Sequence, residues 1–496
     1  MKFSKGVVAA GHGTTADVAA EILANNGNAY DAAVAALLVS FLSEPCMSSP
    51  GGGGFANVFK ADGTSHVLDF FCQTPKKKLA AEVCDFFPFT INFGGASEDF
   101  YIGHGSHAVP GMIAGIFKLH ELHCSMPFAD LTSLAIEYAR KGVPLDAFQR
   151  LDIGLLEEMI GFSKRGIELY KKKDGSLLEK GDNLYMKNLS GFLEMLVHEG
   201  KREFYEGEIA NRVVEDGLEK GGHLQYADFK DYKVNISQPI TVNYKKNSVI
   251  TPSYPSLGGM VLSMGLAEHS KKEMKPHSHD SYAHLEHILP AIRKMEETVR
   301  DPQILSKYLE QYDNVAFNKK WGSTTHLGIV DKWGNAVSIT VSNGEGSGYI
   351  IPGTDCFMNN MLGEAALLPN GFFSWKEDTR LYSLMSPTII TKDNEVKMVT
   401  GTGGAGRIPS MIFQVIQYLL DYGLDLQEAV DASRIHLAEG LLNIEPGMNG
   451  DINLPNDLTS KIWDDKAMYF GGVHSIYSEK GGLHAVGDKR RFGEVR

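Results

Sequence analysis

The pattern of hydrophobic positions in the first fifty residues predicts two helices that are largely buried. The first helix can be capped by Thr14 and Thr15 and ends at Gly27. The second covers residues 29–42, which are almost entirely apolar, and Asn28 is suited to cap its start. Because a helix that is apolar on all sides has no face for solvent, we expect both helices inside the molecule.

Two pairs of short apolar runs predict β-hairpins. The first pair covers residues 55–59 and 66–71, and the second covers residues 325–330 and 336–342. Each pair is joined by a short polar segment that contains glycine, which is a common signal of a hairpin turn. Between the two hairpins, the stretch from about 110 to 220 favours helices.

The order of these elements favours one large α/β (α+β) domain over residues 1–496. The sequence contains no internal repeat and no long low-complexity linker that would separate two domains. We therefore expect strands from both halves of the chain to share a core, with helices on the outer faces.

Composition narrows the class of protein. The chain has 496 residues, 43% of them hydrophobic, a net charge of -13 and an isoelectric point near 5.7. This balance argues against nucleic acid as a partner and favours a soluble enzyme. The longest apolar run, about residues 32–42, is too short to cross a membrane, so we expect no membrane partner. Five scattered cysteines and a start without a signal-peptide core favour a cytoplasmic location.

The second hairpin places hydroxyl groups side by side. If Val330 faces Ala336 across the turn, then Thr324 faces Ser342, and these two side chains become cross-strand neighbours. Alternate residues of a strand share a face, so Thr340 lies on the same side as Ser342. A half-solvated hairpin without catalytic function would show the same pattern, and a one-residue bulge would break the register.

A threonine at the start of a strand can serve as a nucleophile when it is also the first residue of a chain. Its free α-amine then acts as the base for its own hydroxyl, with a pKa of about 7.7–8. Thr324 is internal, so this chemistry requires cleavage between Ser323 and Thr324. The products would be a large chain, residues 1–323, and a small chain, residues 324–496.

The glycine-rich turn at residues 401–406 allows three interpretations. It follows a strand and precedes a helix, so it fits the dinucleotide-binding fingerprint, a turn that binds an oxyanion, or a plain tight turn. The helix after it, residues 408–421, leads to a second helical run at 426–433 instead of the strand that a dinucleotide site requires. We therefore favour the oxyanion turn and expect no cofactor.

Four histidines lie close together in the sequence, which raises the question of a metal site. Their spacing fits no strong ligand pattern, so we expect no metal. They are His277, His279, His284 and His287.

Several motifs occur in the order found in one known family. The sequence resembles the gamma-glutamyltransferase (gamma-glutamyltranspeptidase) family of N-terminal-nucleophile hydrolases nearly from end to end. The matching segments are residues 26–35, 51–55, 324–326, 331–337, 359–360, 385–388 and 401–407.

This resemblance implies a four-layer αββα sandwich, self-cleavage before Thr324, and large and small chains that stay associated. It implies that Ser342 supports the nucleophile and that the backbone amides of Gly404 and Ala405 form the oxyanion hole. The hydroxyl pattern of the hairpin adds Thr340 as a further catalytic candidate. Association into a homo-oligomer is left open.

The expected substrate pocket departs from the family pattern. Where members that bind gamma-glutamyl groups have an arginine for the substrate carboxylate, this chain has Phe71, and Met361 stands where they have Gln or Glu. Glu364 corresponds to the acid that holds the substrate amine, and Asn343 is a further expected substrate contact. Of two pocket serines, one is kept as Ser383 and the other is replaced by leucine.

We therefore expect an amide hydrolase or acyl transferase that acts on small amides or gamma-glutamyl-like compounds and uses glutathione poorly. Two alternatives stay open at this point. One is a catalytically inactive binding protein of the same family. The other is a dinucleotide enzyme that uses the turn at residues 401–406.

Overall fold

The computed structural model describes residues 5–92, 97–273, 278–300, 323–368, 371–450, 454–479 and 482–496. The structural statements below refer to these residues.

The helices are named in chain order. They are α1 Gly13–Ala24, α2 Ala29–Ser43, α3 Met112–His123, α4 Phe128–Lys141, α5 Ala147–Leu155, α6 Glu157–Ile160, α7 Lys164–Tyr170, α8 Lys187–Glu199, α9 Arg202–Glu206, α10 Glu208–Lys220, α11 Tyr226–Lys230, α12 Leu257–His269, α13 Tyr282–Arg300, α14 Ile408–Leu420 and α15 Leu426–Asp431.

The strands follow the same convention. They are β1 Gly6–Ala10, β2 Gly53–Phe59, β3 Ser65–Asp69, β4 Phe87–Asn92, β5 Ser97–Ile102, β6 Val143–Pro144, β7 Asn183–Leu184, β8 Asn235–Ser237, β9 Ile240–Tyr244, β10 Asn247–Thr251, β11 Thr324–Asp331, β12 Ala336–Ser342, β13 Thr388–Lys392, β14 Glu395–Gly401, β15 Ile435–Ala438, β16 Leu441–Ile444, β17 Thr459–Ile462, β18 His474–Glu479, β19 Gly482–Val486 and β20 Glu494–Val495.

Two antiparallel sheets form the centre of the molecule. The larger sheet has the strand order β20-β1-β11-β12-β2-β3-β8, and the smaller has the order β19-β18-β14-β13-β10-β9. Each sheet contains strands from before and after position 324. The two halves of the chain are therefore joined by backbone hydrogen bonds throughout both sheets.

Side-chain alternation along the strands separates the layers. In β1, Val7 and Ala9 pack with Ile389 and Val399 of the smaller sheet, so this face lies between the sheets. Helices α1 and α2 pack against β1 and β11 of the larger sheet, and α12 and α14 pack against strands of the smaller one. The layers are thus helix, sheet, sheet and helix, which confirms the predicted αββα sandwich.

The two N-terminal helices are present, but one begins earlier than predicted. Asn28 caps α2 as expected, since its side chain accepts hydrogen bonds from the Tyr30 and Asp31 amides. Helix α1 begins at Gly13 because the Nδ1 atom of His12 accepts a hydrogen bond from the Thr14 amide at 3.0 Å. The Thr14 and Thr15 cap was wrong because a histidine ring is an uncommon N-cap.

No helix in the described part of the chain combines the length and apolar character needed to cross a membrane.

Candidate active site

The second hairpin has the predicted register. Val330 pairs with Ala336, and Thr324 pairs with Ser342, with no bulge between them. The face that carries Thr324 and Ser342 points towards the smaller sheet, because Ser338 on that face donates a hydrogen bond to a backbone carbonyl of β14 at 3.1 Å. Thr324 is only 5% exposed. The two hydroxyls therefore lie at one end of the space between the sheets.

The adjacent threonine, Thr325, points in the opposite direction and has a different role. Its hydroxyl donates to the carboxylate of Glu44, and the Thr15 hydroxyl donates to the same carboxylate at 2.7 Å. Burial raises the pKa of Glu44. Of the two consecutive threonines, one thus faces the site and the other anchors the strand beside the end of α2.

The peptide bond before Thr324 is held by direct contacts. The Ser342 hydroxyl donates to the Ser323 carbonyl oxygen at 2.6 Å and accepts a hydrogen bond from the Gly344 amide at 3.0 Å. Because the Gly344 amide donates to one lone pair of the Ser342 hydroxyl oxygen, the hydroxyl proton is directed at the Ser323 carbonyl. This donor polarises the C=O bond and stabilises negative charge that develops on its oxygen.

The buried carboxylate of Glu345 holds Ser323, the residue that supplies the carbonyl of that bond. The Ser323 amide and hydroxyl donate to the two carboxylate oxygens of Glu345 at 2.8 and 2.6 Å. The Arg491 guanidinium donates to the Thr324 carbonyl at 3.3 Å. The Ser323–Thr324 bond is therefore fixed from both sides. Neither Glu345 nor Arg491 is predicted from the sequence, although Glu345 lies only three residues after Ser342.

The glycine-rich turn packs directly against Thr324. A Cβ atom at Gly403 would lie 2.1 Å from the Thr324 carbonyl oxygen, so only glycine fits there. Gly404 and Ala405 follow with φ of 123° and 46°. The turn leaves an antiparallel strand, and α14 leads into α15, so no strand–helix–strand unit of the dinucleotide-binding type is formed.

A cavity of about 390 Å³ opens beside Thr324 and collects most of the predicted site. Seven predicted residues line it: Phe71, Thr324, Ser342, Met361, Glu364, Ser383 and Ala405. The lining is completed by Ala366, Leu367, Leu384, Met385, Gly406 and Ile408. Leu384 stands at the position of the replaced family serine, and Met385 and Gly406 belong to the matching segments 385–388 and 401–407. The sequence does not predict Ala366, Leu367 and Ile408, because isolated apolar residues carry no distinctive signal.

Three predicted site residues do not line this cavity. The Thr340 hydroxyl lies 2.9 Å from Nδ1 of His326, deeper between the sheets. The Asn343 side-chain amide donates to the Phe357 carbonyl at 3.2 Å. Gly404 lies next to Ala405, but it is outside the lining.

Within the described residues, no arginine or lysine lines the cavity. Arg380 forms an ion pair with Asp69 at 3.2 Å, and its guanidinium lies 4.5 Å from the centre of the Tyr232 ring. Arg407 lies 4.7 Å from the Tyr469 ring centre. Arg380 and Arg407 thus contact other groups and do not line the cavity.

The carboxyl groups of Asp152 and Glu345 lie behind Ser323, and both interact with the Arg491 guanidinium. Asp152, Glu345 and Arg491 line a cavity of about 330 Å³ together with Ser323. Burial, reinforced by the charge of Glu345, raises the pKa of Asp152 to about 7. Burial also raises the pKa of Glu345 and lowers that of Arg491 to about 10.

This arrangement gives a pH-dependent stability. Since the pKa of Asp152 is about 7 in the folded protein and about 4 in the unfolded chain, the folded state binds the extra proton between these values. As the pH rises from about 4 to above 7, the folded protein releases the proton of Asp152. The free energy of unfolding should therefore decrease over this range. Asp152→Asn should reduce this slope in urea unfolding measured across that range. Parallel pH profiles for the two proteins would contradict the assignment.

The histidine group does not form a metal centre in the described region. His284 Nδ1 lies 2.9 Å from the Tyr422 hydroxyl, and the His287 ring packs against His269. His279 contacts aromatic rings, and His277 lies outside the described residues. The described residues contain no group of three or more His, Cys, Asp or Glu side chains placed to bind a metal ion.

Comparison with known proteins adds independent information. A sequence model described as Gamma-glutamyltranspeptidase matches residues 15–300 and 290–496. The chain is 30% identical over 478 residues to the glutathione hydrolase proenzyme of Pseudomonas sp. (strain A14), covering 87% of this chain and 81% of that protein. It is 26% identical over 473 residues to the acylase ACY 1 proenzyme of Pseudomonas sp. (strain SE83), covering 89% and 84%.

A solved structure shows the same fold. The cephalosporin acylase from Bacillus halodurans matches with a TM-score of 0.82 and 22% identity, covering 100% of this chain and 96% of that chain. The family match extends over both sides of position 324 and includes the site described above. The chain therefore belongs to the gamma-glutamyltranspeptidase family, as its motifs predicted.

Proposed function

We propose that the protein cleaves itself before Thr324 and then uses Thr324 as the nucleophile of an amide hydrolase or acyl transferase. The observation that carries this proposal is the Ser342 hydroxyl, which donates to the Ser323 carbonyl oxygen at 2.6 Å. A hydrogen-bond donor on the carbonyl that must be attacked is what this self-cleavage requires.

In the first reaction, the Thr324 hydroxyl oxygen attacks the Ser323 carbonyl carbon. The peptide C–N bond breaks, the nitrogen takes up a proton as the new α-amine, and Ser323 is left as an ester on the Thr324 oxygen. Water then hydrolyses this ester and releases a carboxylate at Ser323. Glu345 and Arg491 hold the two residues in place, while Ser342 stabilises the oxyanion.

In the second reaction, the freed amine of Thr324 takes the proton of its own hydroxyl, which attacks the substrate amide. The amine of the substrate leaves with that proton, and the acyl group remains on Thr324 until water or an acceptor amine removes it. The position of Ala405 in the cavity wall supports the amides of Gly404 and Ala405 as the oxyanion hole.

The fold supports continued association of the two chains after cleavage. Cutting at position 324 would leave β11 hydrogen-bonded to β1 of the large chain, and β12 to β2. Separation would break these ladders and expose the core between the sheets. The cytoplasmic location of the protein and its association into a homo-oligomer remain predictions from the sequence.

The cavity favours an acyl group less polar than gamma-glutamyl. Phe71 stacks on Phe55 with ring centres 5.7 Å apart, and Met361 and Leu367 add further apolar surface. A substrate carboxylate placed here would lose water without gaining a cation, which is unfavourable. One relative is named an acylase, which agrees with cleavage of an amide to transfer an acyl group, and another is named a glutathione hydrolase, so the names of the relatives do not decide the polarity of that group.

The specificity can be measured with anilides. We expect the mature protein to cleave simple acyl anilides with a higher kcat/KM than a gamma-glutamyl anilide. Phe71→Arg should shift the preference towards gamma-glutamyl by about ten- to hundredfold, because a charge-assisted hydrogen bond contributes about 1.5–3 kcal/mol. Phe71→Leu is the matched control without a charge. A strong gamma-glutamyl preference in the parent protein would contradict this pocket assignment.

A further inference from the structure

A second cavity adjoins the active site. Three residues line both cavities: Ala366, Leu384 and Gly406. These residues therefore belong to the wall of both spaces.

The second cavity is mainly apolar. Helices α12 and α13 supply Val261, Ile292, Met295 and Val299, and Pro409 and Leu437 add to the same surface. Three polar residues also line the cavity: Glu296, Ser410 and His436. The Ser410 hydroxyl donates a hydrogen bond to the Arg407 carbonyl at 2.9 Å and lies 3.0 Å from Nδ1 of His436. The remaining surface is suited to hydrocarbon.

The partition between the cavities is thin. Gly406 has no side chain, Ala366 has only a methyl group, and Leu384 is the one large side chain of the three. A Cβ atom at Gly406 would still lie 4.0 Å from Cδ1 of Leu384, so the turn does not lock this leucine in place. A path between the two spaces requires a change of the Leu384 rotamer.

We infer that the two cavities together bind one unbranched acyl chain of medium length, with its carbonyl at Thr324 and its tail past Leu384. This inference rests on the proposed function and specifies its substrate class, namely amides of medium-chain fatty acids such as octanoic acid. The second cavity supplies apolar surface for the tail, and the residues that it shares with the Thr324 cavity place it directly beside the carbonyl site. A short acyl group would leave the second one unused.

A charged acyl tail fits this arrangement less well. Among the described lining residues of the second cavity, the charged side chain is the acid Glu296, and no lysine or arginine is present. A terminal carboxylate would be desolvated there without a cationic partner. Hydrocarbon carries no such penalty and gains from burial.

The test is a chain-length series on the mature parent protein, with acetyl, butyryl, hexanoyl and octanoyl anilides. Burial contributes about 0.8 kcal/mol per methylene, so kcat/KM should rise about fourfold for each methylene added. Equal kcat/KM for acetyl and octanoyl would overturn the inference and leave the proposed function standing. Absence of turnover and of an acyl-enzyme with every substrate would overturn both.

A pair of variants locates the effect. Val261 lines the second cavity and Val213 lies in α10 away from both cavities, and each is 2% exposed. Val261→Phe should lower the octanoyl-to-acetyl ratio of kcat/KM at least tenfold, whereas Val213→Phe should keep the parental ratio. Leu437→Phe is a second filling variant if Val261→Phe does not fold. Parental ratios in the filling variants would contradict the inference.

Discussion

Thr324→Ala is expected to remain a single full-length chain and to lose amide-cleaving activity by about 10⁴-fold or more. The substitution removes the hydroxyl that attacks the Ser323 carbonyl, so the α-amine that would serve as the base is never released. Both reactions depend on the same oxygen, and the variant is therefore blocked twice. Denaturing electrophoresis and anilide hydrolysis measure the two losses separately.

The matched control for this experiment is Thr324→Ser. It keeps a hydroxyl at the same position and yields an N-terminal amine after cleavage, so it should be processed and active, although more slowly. Cleavage at the parental rate in Thr324→Ala would assign the reaction to another group. An uncleaved parent protein that behaves like Thr324→Ala in both assays would instead favour an inactive binding protein.

Ser342→Ala is expected to slow self-cleavage by about 10²–10³-fold. This is the usual loss when one donor to a developing oxyanion is removed. Its hydroxyl lies 2.6 Å from the Ser323 carbonyl oxygen and is oriented by the Gly344 amide. The rate can be followed by the disappearance of full-length chain during refolding of denatured precursor.

Ser342→Thr retains the hydroxyl and is the matched control. It should process within about tenfold of the parent rate, since only a methyl group is added near the carbonyl. If Ser342→Ala cleaves as fast as the control, the Ser342 hydrogen bond has no part in the reaction.

The sequence was sufficient to predict the hairpin that carries the nucleophile. Alternating apolar and polar residues fixed its two strands, and the short turn fixed their register, so Thr324 and Ser342 were paired correctly. The buried helix α2 was predicted for a similar reason, because Asn28 and the apolar run after it are both local signals. The four-layer arrangement came from the family resemblance.

The contacts around the scissile bond could not be predicted in the same way. Arg491 reaches Thr324 from 167 positions along the chain, and no local pattern indicates that contact. Glu345 is close in sequence, but it meets Ser323 because the chain reverses after Ser342. Gly344 and Gly346 make that reversal with φ of 65° and 87°.

The residues of the pocket also come together from distant parts of the chain, so local patterns alone do not predict them. Its wall combines Phe71 from the first hairpin with Glu364 and Ser383 from loops of the second half. Resemblance to a family identified those positions, whereas the hydroxyl pattern also suggested Thr340, which lies outside the cavity. Alternation shows which face a residue occupies, but not how far along that face the site extends.

The most direct test of the central claim is mass spectrometry of the purified parent protein, combined with determination of the N-terminal residue of each fragment. We expect two chains, residues 1–323 and 324–496, with Thr324 at the start of the second. After brief incubation with an acyl anilide, the added acyl mass should map to Thr324. A full-length chain that cleaves the anilide, or an acyl group carried by another residue, would contradict the account.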